Sequence, residues 1–323
     1  MAGRSQAEIG AACVAIFVVG SAFRDVYLGD IFQSVSIFLV LVIAFGIATI
    51  AGLGVACVRG KSLKFVLRRP SNVIMMNLGT AGAWICYFSA LKWLDPSIVN
   101  TLFAGIGPFA VIALDVCRMS IAAPHPTTVL QKALQLGVIG SLCALIWIVV
   151  TGRSGFQSAH PILSFGSAGL ALLAGSLITV GHLYAKRLDE CGASPEAILG
   201  TRFFALLIVA CVAIVHEGAA TVIVPLAEMA YITGAATLLI VAPVFFNQVG
   251  MAKISPLAAR VMTAGGPVLV FALQQFDPRI AWSTATFAAI VAYSGFVIAA
   301  NLVHGRIWKA KRAIPAKSPA MPS

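Results

Sequence analysis

The chain has 323 residues, of which 60% are hydrophobic and only 10% are charged, and its mean hydropathy is +0.97. Soluble domains carry roughly a quarter charged residues, so this composition excludes a water-soluble globule. The formal net charge of +11 would be compatible with binding to nucleic acid. The positions of the basic residues decide whether nucleic acid is an expected partner.

Apolar stretches of about twenty residues recur along the chain with short connectors between them. Each stretch is long enough to cross a hydrocarbon core of about 30 Å at a rise of about 1.5 Å per residue. The sequence therefore predicts an all-α membrane protein with ten transmembrane helices. The predicted spans are 9–28, 34–57, 71–91, 96–117, 129–150, 162–185, 195–215, 227–250, 256–276 and 281–303.

Lys and Arg are distributed unevenly between the two sides of this predicted bundle. If the N-terminus is cytoplasmic, only Lys92, Arg153 and Arg279 fall in outer connectors, and most of the others fall in inner segments. This positive-inside bias predicts that both termini are cytoplasmic and that the protein resides in the cell membrane. Because the basic segments would face anionic headgroups, membrane lipids and not nucleic acid are the expected partner.

The seven cysteines form no pattern typical of a metal or redox site, because they are scattered and none has Cys-x-x-Cys spacing. They are expected to act as small apolar side chains, and no metal, cofactor or catalytic residue is predicted. No A-x-A-like cleavage site follows the first apolar stretch, so that stretch is expected to remain as an uncleaved helix.

A repeat relates the two halves of the chain. The segment 87–114 aligns with 246–273, and Pro108 matches Pro267 after a slip of one residue. Five spans separate the copies, and because five is odd the second copy crosses the membrane in the opposite direction. Inverted repeats of this kind are typical of secondary transporters, which bind substrate between the repeats near the midplane.

Motifs in both halves resemble the drug/metabolite transporter superfamily, in particular its ten-helix EamA-type members. The family's half-repeat has a helix ending in A-L-(K/R)-x-L-x-P/A and then a helix with a central proline. The similar motifs are SALKWLDPS (89–97), AKISPLAA (252–259), GPFAVIAL (107–114) and GPVLVFAL (266–273). The resemblance implies a five-helix repeat over 1–150, an inverted one over 162–304, and a basic cytoplasmic tail over 305–323.

The same resemblance implies a secondary transporter that moves a small organic metabolite by alternating access, with spans 1, 3, 4, 6, 8 and 9 enclosing the path. Export of amino acids or related compounds is the expectation from family association. Two alternatives stay open: a non-transporting membrane scaffold or sensor, and an intramembrane serine protease using Ser154. The GRSG match around Ser154 lies in a polar connector, where Gly and Ser clusters are ordinary loop chemistry.

Charged residues inside the predicted spans are candidates for the path, since each costs about 2.5–3.5 kcal/mol at the bilayer centre. Arg24 and Asp25 lie roughly 6 Å from the end of the first span and are either an interfacial pair or a gate or substrate contact. Arg202 lies roughly 10 Å inside the seventh span, where it would line the path or bond helix ends. Arg260 would either reach cytoplasmic water or bind an anionic substrate group. No acidic residue lies clearly at the centre of a span, so no carboxylate proton relay is expected.

Polar and aromatic residues inside the spans are the second group of candidates. Asn247 and Gln248 align with Tyr87 and Phe88 across the repeat, so one side of a cavity would offer amides and the other an aromatic surface. This combination suits an amphipathic organic substrate, and the alternative role for these residues is interhelical hydrogen bonding. The further candidates are His182, Trp84, Asn77 and Asn100.

Two similar motifs, FAGIGP (103–108) and MTAGGP (262–267), interrupt the fourth and ninth spans. Glycine allows close helix approach, and proline leaves the carbonyl four residues earlier without its helical partner. The motifs predict paired bends that face each other near the midplane. The predicted bend residues are Gly105, Gly107, Pro108, Gly265, Gly266 and Pro267.

Overall fold

The computed structural model describes residues 2–60, 63–116, 128–156, 161–218, 225–251, 253–254 and 256–313. These residues are mainly helical, and the β-type pairing among them is an isolated bridge between Phe156 and Ile280. The helices are α1 (Ala2–Ser34), α2 (Ile37–Val58), α3 (Lys64–Leu67), α4 (Pro70–Trp93), α5 (Pro96–Val116), α6 (Val129–Val150), α7 (Pro161–Glu190), α8 (Pro195–Thr201), α9 (Phe204–Glu217), α10 (Leu226–Ala236), α11 (Ala242–Met251), α12 (Pro256–Thr263), α13 (Gly266–Gln274) and α14 (Thr284–Ala313), with a π-helical turn at Thr237–Val241 between α10 and α11.

Within the described part of the chain, nine helical stretches are long and apolar enough to cross a membrane. The prediction of an all-α membrane protein is therefore confirmed. The ninth predicted span, 256–276, is not among these stretches, because it is divided into α12 with 8 residues and α13 with 9 residues. A helix needs about 20 residues to cross the bilayer, so neither piece crosses it alone.

The first helix is longer than the predicted first span. Gly29 and Asp30 resemble a connector in the sequence, but both lie within α1, which continues to Ser34. A Cβ atom placed on Gly29 would lie 3.5 Å from the carbonyl oxygen of Leu91, so α1 and α4 run close together there. Arg24 consequently lies about ten residues, or roughly 15 Å, from the C-terminal end of its helix.

Glycine permits close helix crossings in the bundle. A Cβ atom placed on Gly20 of α1 would lie 2.6 Å from Cγ of Pro243 on α11. One placed on Gly79 of α4 would lie 2.8 Å from the backbone nitrogen of Gly181 on α7. Both separations are too short for any side chain, and they let α1 pack along α11 and α4 pack along α7.

The seventh predicted span consists of two helices, α8 and α9, which are separated at Arg202 and Phe203. Asn77 of α4 bonds both sides of this break. Its Nδ2 donates to the carbonyl of Thr201 at 2.8 Å, and its Oδ1 accepts from the backbone N–H of Ala205 at 3.1 Å. Backbone groups need partners inside a bilayer, so this amide stabilises the break.

The two glycine–proline motifs lie in different surroundings. The helix α5 continues through Pro108, whereas α12 and α13 are separate helices. A Cβ atom placed on Gly107 would lie 3.4 Å from Oγ1 of Thr179 on α7, while one on Gly266 would lie 3.9 Å from Oδ1 of Asn100 on α5. In this conformation the second motif, but not the first, breaks its helix.

Candidate functional site

A buried network of polar side chains joins α1, α4 and α5 around the carboxylate of Asp25. Its Oδ1 accepts from Nε of Arg24 at 2.8 Å and lies 2.7 Å from Nη2 of the same residue. Its Oδ2 accepts from the hydroxyl of Tyr87 at 2.7 Å and from Nδ2 of Asn100 at 2.7 Å. One carboxylate thus holds side chains from three helices in a fixed arrangement, which we call the Asp25 network.

Aromatic rings surround the guanidinium of Arg24. Its Cζ lies 5.3 Å from the ring centroids of both Trp84 and Tyr87, and Phe103 packs edge-on against Tyr87 at 4.7 Å. Each cation–π contact of a desolvated arginine contributes up to about 2 kcal/mol. The site therefore combines a neutralised ion pair with an aromatic wall.

Arg24 and Asp25 do not extend to solvent, although the interpretation as an interfacial pair predicts that they would. Arg24 is 5% exposed and Asp25 is 0% exposed, because α1 continues well past both residues and other helices cover them. Asp25 is also a carboxylate deep inside a span, where the sequence analysis expects none. The sequence does contain a signal for this, since adjacent opposite charges in an apolar run can be buried together as a pair.

The Asp25 network lies beside the break between α12 and α13. Asn100 reaches both Asp25 and the hydroxyl of Tyr87, the latter at 3.4 Å, through its Nδ2. Its Oδ1 faces Gly266, the first residue of α13. The N-terminus of a helix carries partial positive charge, so this broken helix places a polar backbone end next to the network.

Arg202 and His182 form a second cluster, where α4, α7 and the α8–α9 break meet. Arg202 is 7% exposed, and its Nε donates to Oγ1 of Thr80 at 3.0 Å. His182 is exposed. Gly181, the neighbour of His182, packs tightly against Thr80. The structure places these residues in a separate cluster from the Asp25 network.

Three predicted path residues remain, namely Asn247, Gln248 and Arg260. Asn247 is half-buried on α11. The side chains of Gln248 and Arg260 lie outside the described residues. Asn77, a weaker candidate, bonds the two ends of the α8–α9 break and thus has a structural role.

The other predicted bend residues also have distinct neighbours. A Cβ atom placed on the buried Gly105 would lie 2.7 Å from Leu142, so this glycine permits close packing of α5 and α6. Gly265 is the residue before α13, and Pro267 lies in the first turn of that helix. A proline in the first turn leaves no helical hydrogen bond unmade, so Pro267 helps α13 to begin there.

A polar cluster that the sequence analysis missed ties one end of the bundle together. Asp95, at the corner between α4 and α5, is 0% exposed, and its Oδ1 accepts from the hydroxyl of Ser97 at 2.8 Å. The backbone N–H of Ser97 donates to Oε1 of Gln274 at 3.0 Å, which links α5 to α13. Burial raises the pKa of Asp95, while hydrogen bonds from Ser97 and Gln274 act in the opposite direction.

The same end is closed by Arg279, which follows α13. Its guanidinium pairs with Asp277 and lies 3.3 Å from a carboxylate oxygen of Asp30. Its Nη1 donates to the carbonyl of Gly29 at 2.7 Å. Together with Asp95, Ser97 and Gln274, these residues form what we call the end cluster, which ties α1 and α5 to α13.

The geometry at Ser154 gives no sign of an activated nucleophile. Its hydroxyl donates to the carbonyl of Phe156 at 3.2 Å. No histidine in the described part of the chain hydrogen-bonds it, and His160 lies outside those residues. An activated serine needs an adjacent base within hydrogen-bonding reach.

No protein-family model matches the chain, and no curated protein matches it. The chain is similar to a protein of known crystal structure, with a TM-score of 0.61 and 20% sequence identity. The similarity covers 94% of this chain and 99% of that one. At this level of identity it establishes a shared fold, and it extends over nearly the whole helical bundle.

Proposed function

We propose that the protein is a secondary transporter, which moves a small amino-acid-like organic metabolite across the cell membrane by alternating access, in the direction of export. The observation that carries this proposal is the Asp25 network. Charged groups inside a membrane bundle are costly and are typical of substrate and ion pathways. This network also lies beside a broken helix, which is where transporters commonly bind their substrates.

The helix packing supports an architecture of two inverted five-helix repeats, with α12 and α13 together forming the ninth span. In such an architecture span 1 is equivalent to span 6, span 2 to span 7, and so on to spans 5 and 10. The contact of α1 with α11 is then equivalent to the contact of α7 with α4. The contact of α5 with α7 is likewise equivalent to the contact of α13 with α1. Three contacts join two equivalent spans directly: α2 with α8, α5 with α13, and α6 with α14. A pseudo-twofold axis in the membrane plane would produce this equivalence, and EamA-type transporters, which the sequence motifs resemble, share that plan.

The end cluster suggests which side of the proposed transporter is closed in this conformation. With cytoplasmic termini, α1 ends on the outer side, so the end cluster lies there and the described conformation is closed to the outside. Release of substrate outward then requires the bonds from Arg279 to Gly29 and from Ser97 to Gln274 to break. The Asp25 network, on the same helix α1, would sense substrate before this opening.

Proteoliposome flux tests the proposal. Vesicles containing the purified protein are loaded with a mixture of labelled amino acids, and their release is compared between Asn100→Ala and wild type. We expect release to fall at least tenfold, because the loss of one charge-assisted hydrogen bond is worth about 1.5 kcal/mol or more. The control is Asn301→Ala on α14, whose amide donates only to Val297 of its own helix.

A comparison of cells that lack the protein with cells that overproduce it identifies the metabolite. A scaffold or sensor would leave every small-metabolite level unchanged in cells and give no flux in vesicles. A protease would cleave a membrane peptide and lose that activity on Ser154→Ala. Either result, with no flux of any tested compound, would reject the transporter proposal.

A further inference from the structure

The side chain of Arg202 is held at a defined place within the bundle. It follows the last residue of α8, at the break that Asn77 stabilises from α4. Its Nε donates to the hydroxyl of Thr80 on α4. Thr80 is 0% exposed and packs against Gly181 of α7. The guanidinium is therefore positioned by Thr80, and the backbone that carries it is held by Asn77.

The charge of Arg202 has no acidic partner among the described residues. In the described part of the chain, no carboxylate lies within ion-pair distance of Arg202, and Thr80 is its hydrogen-bond partner. Arg24, Arg59 and Arg279 are each paired with an acidic side chain. An arginine stays protonated inside proteins, so the positive charge of Arg202 is not removed by loss of a proton.

Two further features lie near Arg202. The imidazole of His182, which follows Gly181 on α7, is exposed. The helix α9 begins at Phe204, two residues after Arg202, and Arg202 is the C-cap of α8, so the ends of two helices meet at this break. An uncompensated buried charge is strongly unfavourable, and the group that best compensates a guanidinium is a bidentate oxyanion.

We propose that Arg202 forms an oxyanion-binding site, in which its terminal nitrogens donate to a carboxylate or phosphate group. Thr80 holds the guanidinium in position, and His182 contributes a second donor from the exposed side. The oxyanion belongs either to a soluble metabolite or to a lipid headgroup. The site is separate from the Asp25 network, and its existence does not depend on the transporter proposal.

The test is a titration of thermal stability in nanodiscs of zwitterionic phosphatidylcholine. Acetate and inorganic phosphate are added to the full-length protein at constant ionic strength, with chloride as the reference anion. We expect a saturable rise in Tm for wild type and none for Arg202→Met. Arg202→Lys should bind roughly tenfold more weakly, because the amine lacks the second parallel hydrogen bond. Arg279→Gln is the matched control and should keep the full rise.

Nanodiscs that contain phosphatidylglycerol distinguish the source of the oxyanion. If wild type is already stabilised there, and Arg202→Met is not, the bound group is a headgroup phosphate. If only soluble anions stabilise wild type, the site binds a metabolite. The proposal is overturned if neither anions nor anionic lipid raise the Tm of wild type, or if Arg202→Met keeps the same rise. Because the assay measures binding, absence of flux in vesicles would leave this result unaffected.

Discussion

Among the described side chains, Arg24 and Arg202 are buried arginines of the transmembrane bundle, and their charges have different partners. Arg24 lies between aromatic rings and is paired with Asp25, whose carboxylate also binds Tyr87 and Asn100. Arg202 is almost equally buried but has the hydroxyl of Thr80 as its partner in the described part of the chain. The charge of Arg24 is thus compensated by an acidic side chain, whereas the charge of Arg202 has no acidic partner among the described residues.

The two arginines illustrate two kinds of buried charge: one that is compensated within the protein, and one that a bound ligand would compensate. A paired charge stabilises the fold as long as both members are present, so removal of either member is damaging. A charge without a counter-ion is unfavourable until a ligand arrives, so its removal has little effect on the free protein.

Arg24→Met is expected to have the largest effect on stability. It leaves Asp25 as an uncompensated buried charge, and we expect a loss of about 3–5 kcal/mol. Unfolding by denaturant in detergent micelles measures this. The double variant Arg24→Met/Asp25→Leu should recover most of the loss, because it removes both charges. Wild-type stability of the single variant would show that the pair does not hold α1 in the bundle.

Asn77→Leu tests the stabilisation of the break on which Arg202 depends. The change leaves the carbonyl of Thr201 and the N–H of Ala205 without partners, and we expect a loss of about 2–3 kcal/mol. The same unfolding assay measures it. Asn301→Leu, whose amide bonds within its own helix, should cost less than about 0.5 kcal/mol. Equal losses in the two variants would contradict a role of Asn77 across the break.

Gly266→Leu tests whether the space beside the Asp25 network belongs to the transport path. The new side chain would extend toward Asn100, and we expect flux in vesicles to fall at least roughly tenfold without loss of membrane insertion. Gly107→Leu should also reduce flux, since it fills the space beside Thr179. Gly140→Leu is the control, because no atom lies within 4 Å of its added Cβ. Unchanged flux in all three would reject the predicted role of the bend residues.

The end cluster predicts a small pH effect on stability. Burial raises the pKa of Asp95 above its ordinary value, so the folded state favours the protonated carboxyl. Asp95 therefore stabilises the folded protein fully below the ordinary carboxyl pKa. This stabilisation is lost as the pH rises through the higher pKa of the folded state, and each unit of pKa difference corresponds to about 1.4 kcal/mol. The Tm of wild type should fall relative to Asp95→Asn as the pH rises above the ordinary carboxyl pKa of about 4. A constant difference across this range would contradict the assignment.

Arg202→Met should have the smallest effect on the free protein. We expect the free energy of unfolding to change by less than about 1 kcal/mol in anion-free buffer, since the lost bond to Thr80 is offset by removal of an uncompensated charge. Unfolding beside Arg24→Met makes the comparison direct. A loss as large as that of Arg24→Met would mean that Arg202 supports the fold in the same way as Arg24.

The sequence predicted the helical membrane class and nearly all of the spans, because hydropathy over twenty residues depends little on neighbours. It placed the end of the first span too early, since Gly29 and Asp30 resemble a connector and their packing against α4 is not visible in the chain. It named both buried arginines as candidates. It missed Asp95 and Gln274, whose link joins residues far apart in sequence.

The sequence by itself determined the all-α membrane class of this protein, the approximate positions of its long apolar helices, and which rare charges lie within them. Hydropathy and residue type are local properties, so they can be read from the chain in order. Only the tertiary structure decided which charges are neutralised. That depends on which helices meet: α4 and α5 bring Tyr87 and Asn100 to Asp25, whereas α4 brings only a hydroxyl to Arg202. Contacts between distant helices depend on packing in three dimensions, which local sequence patterns do not encode.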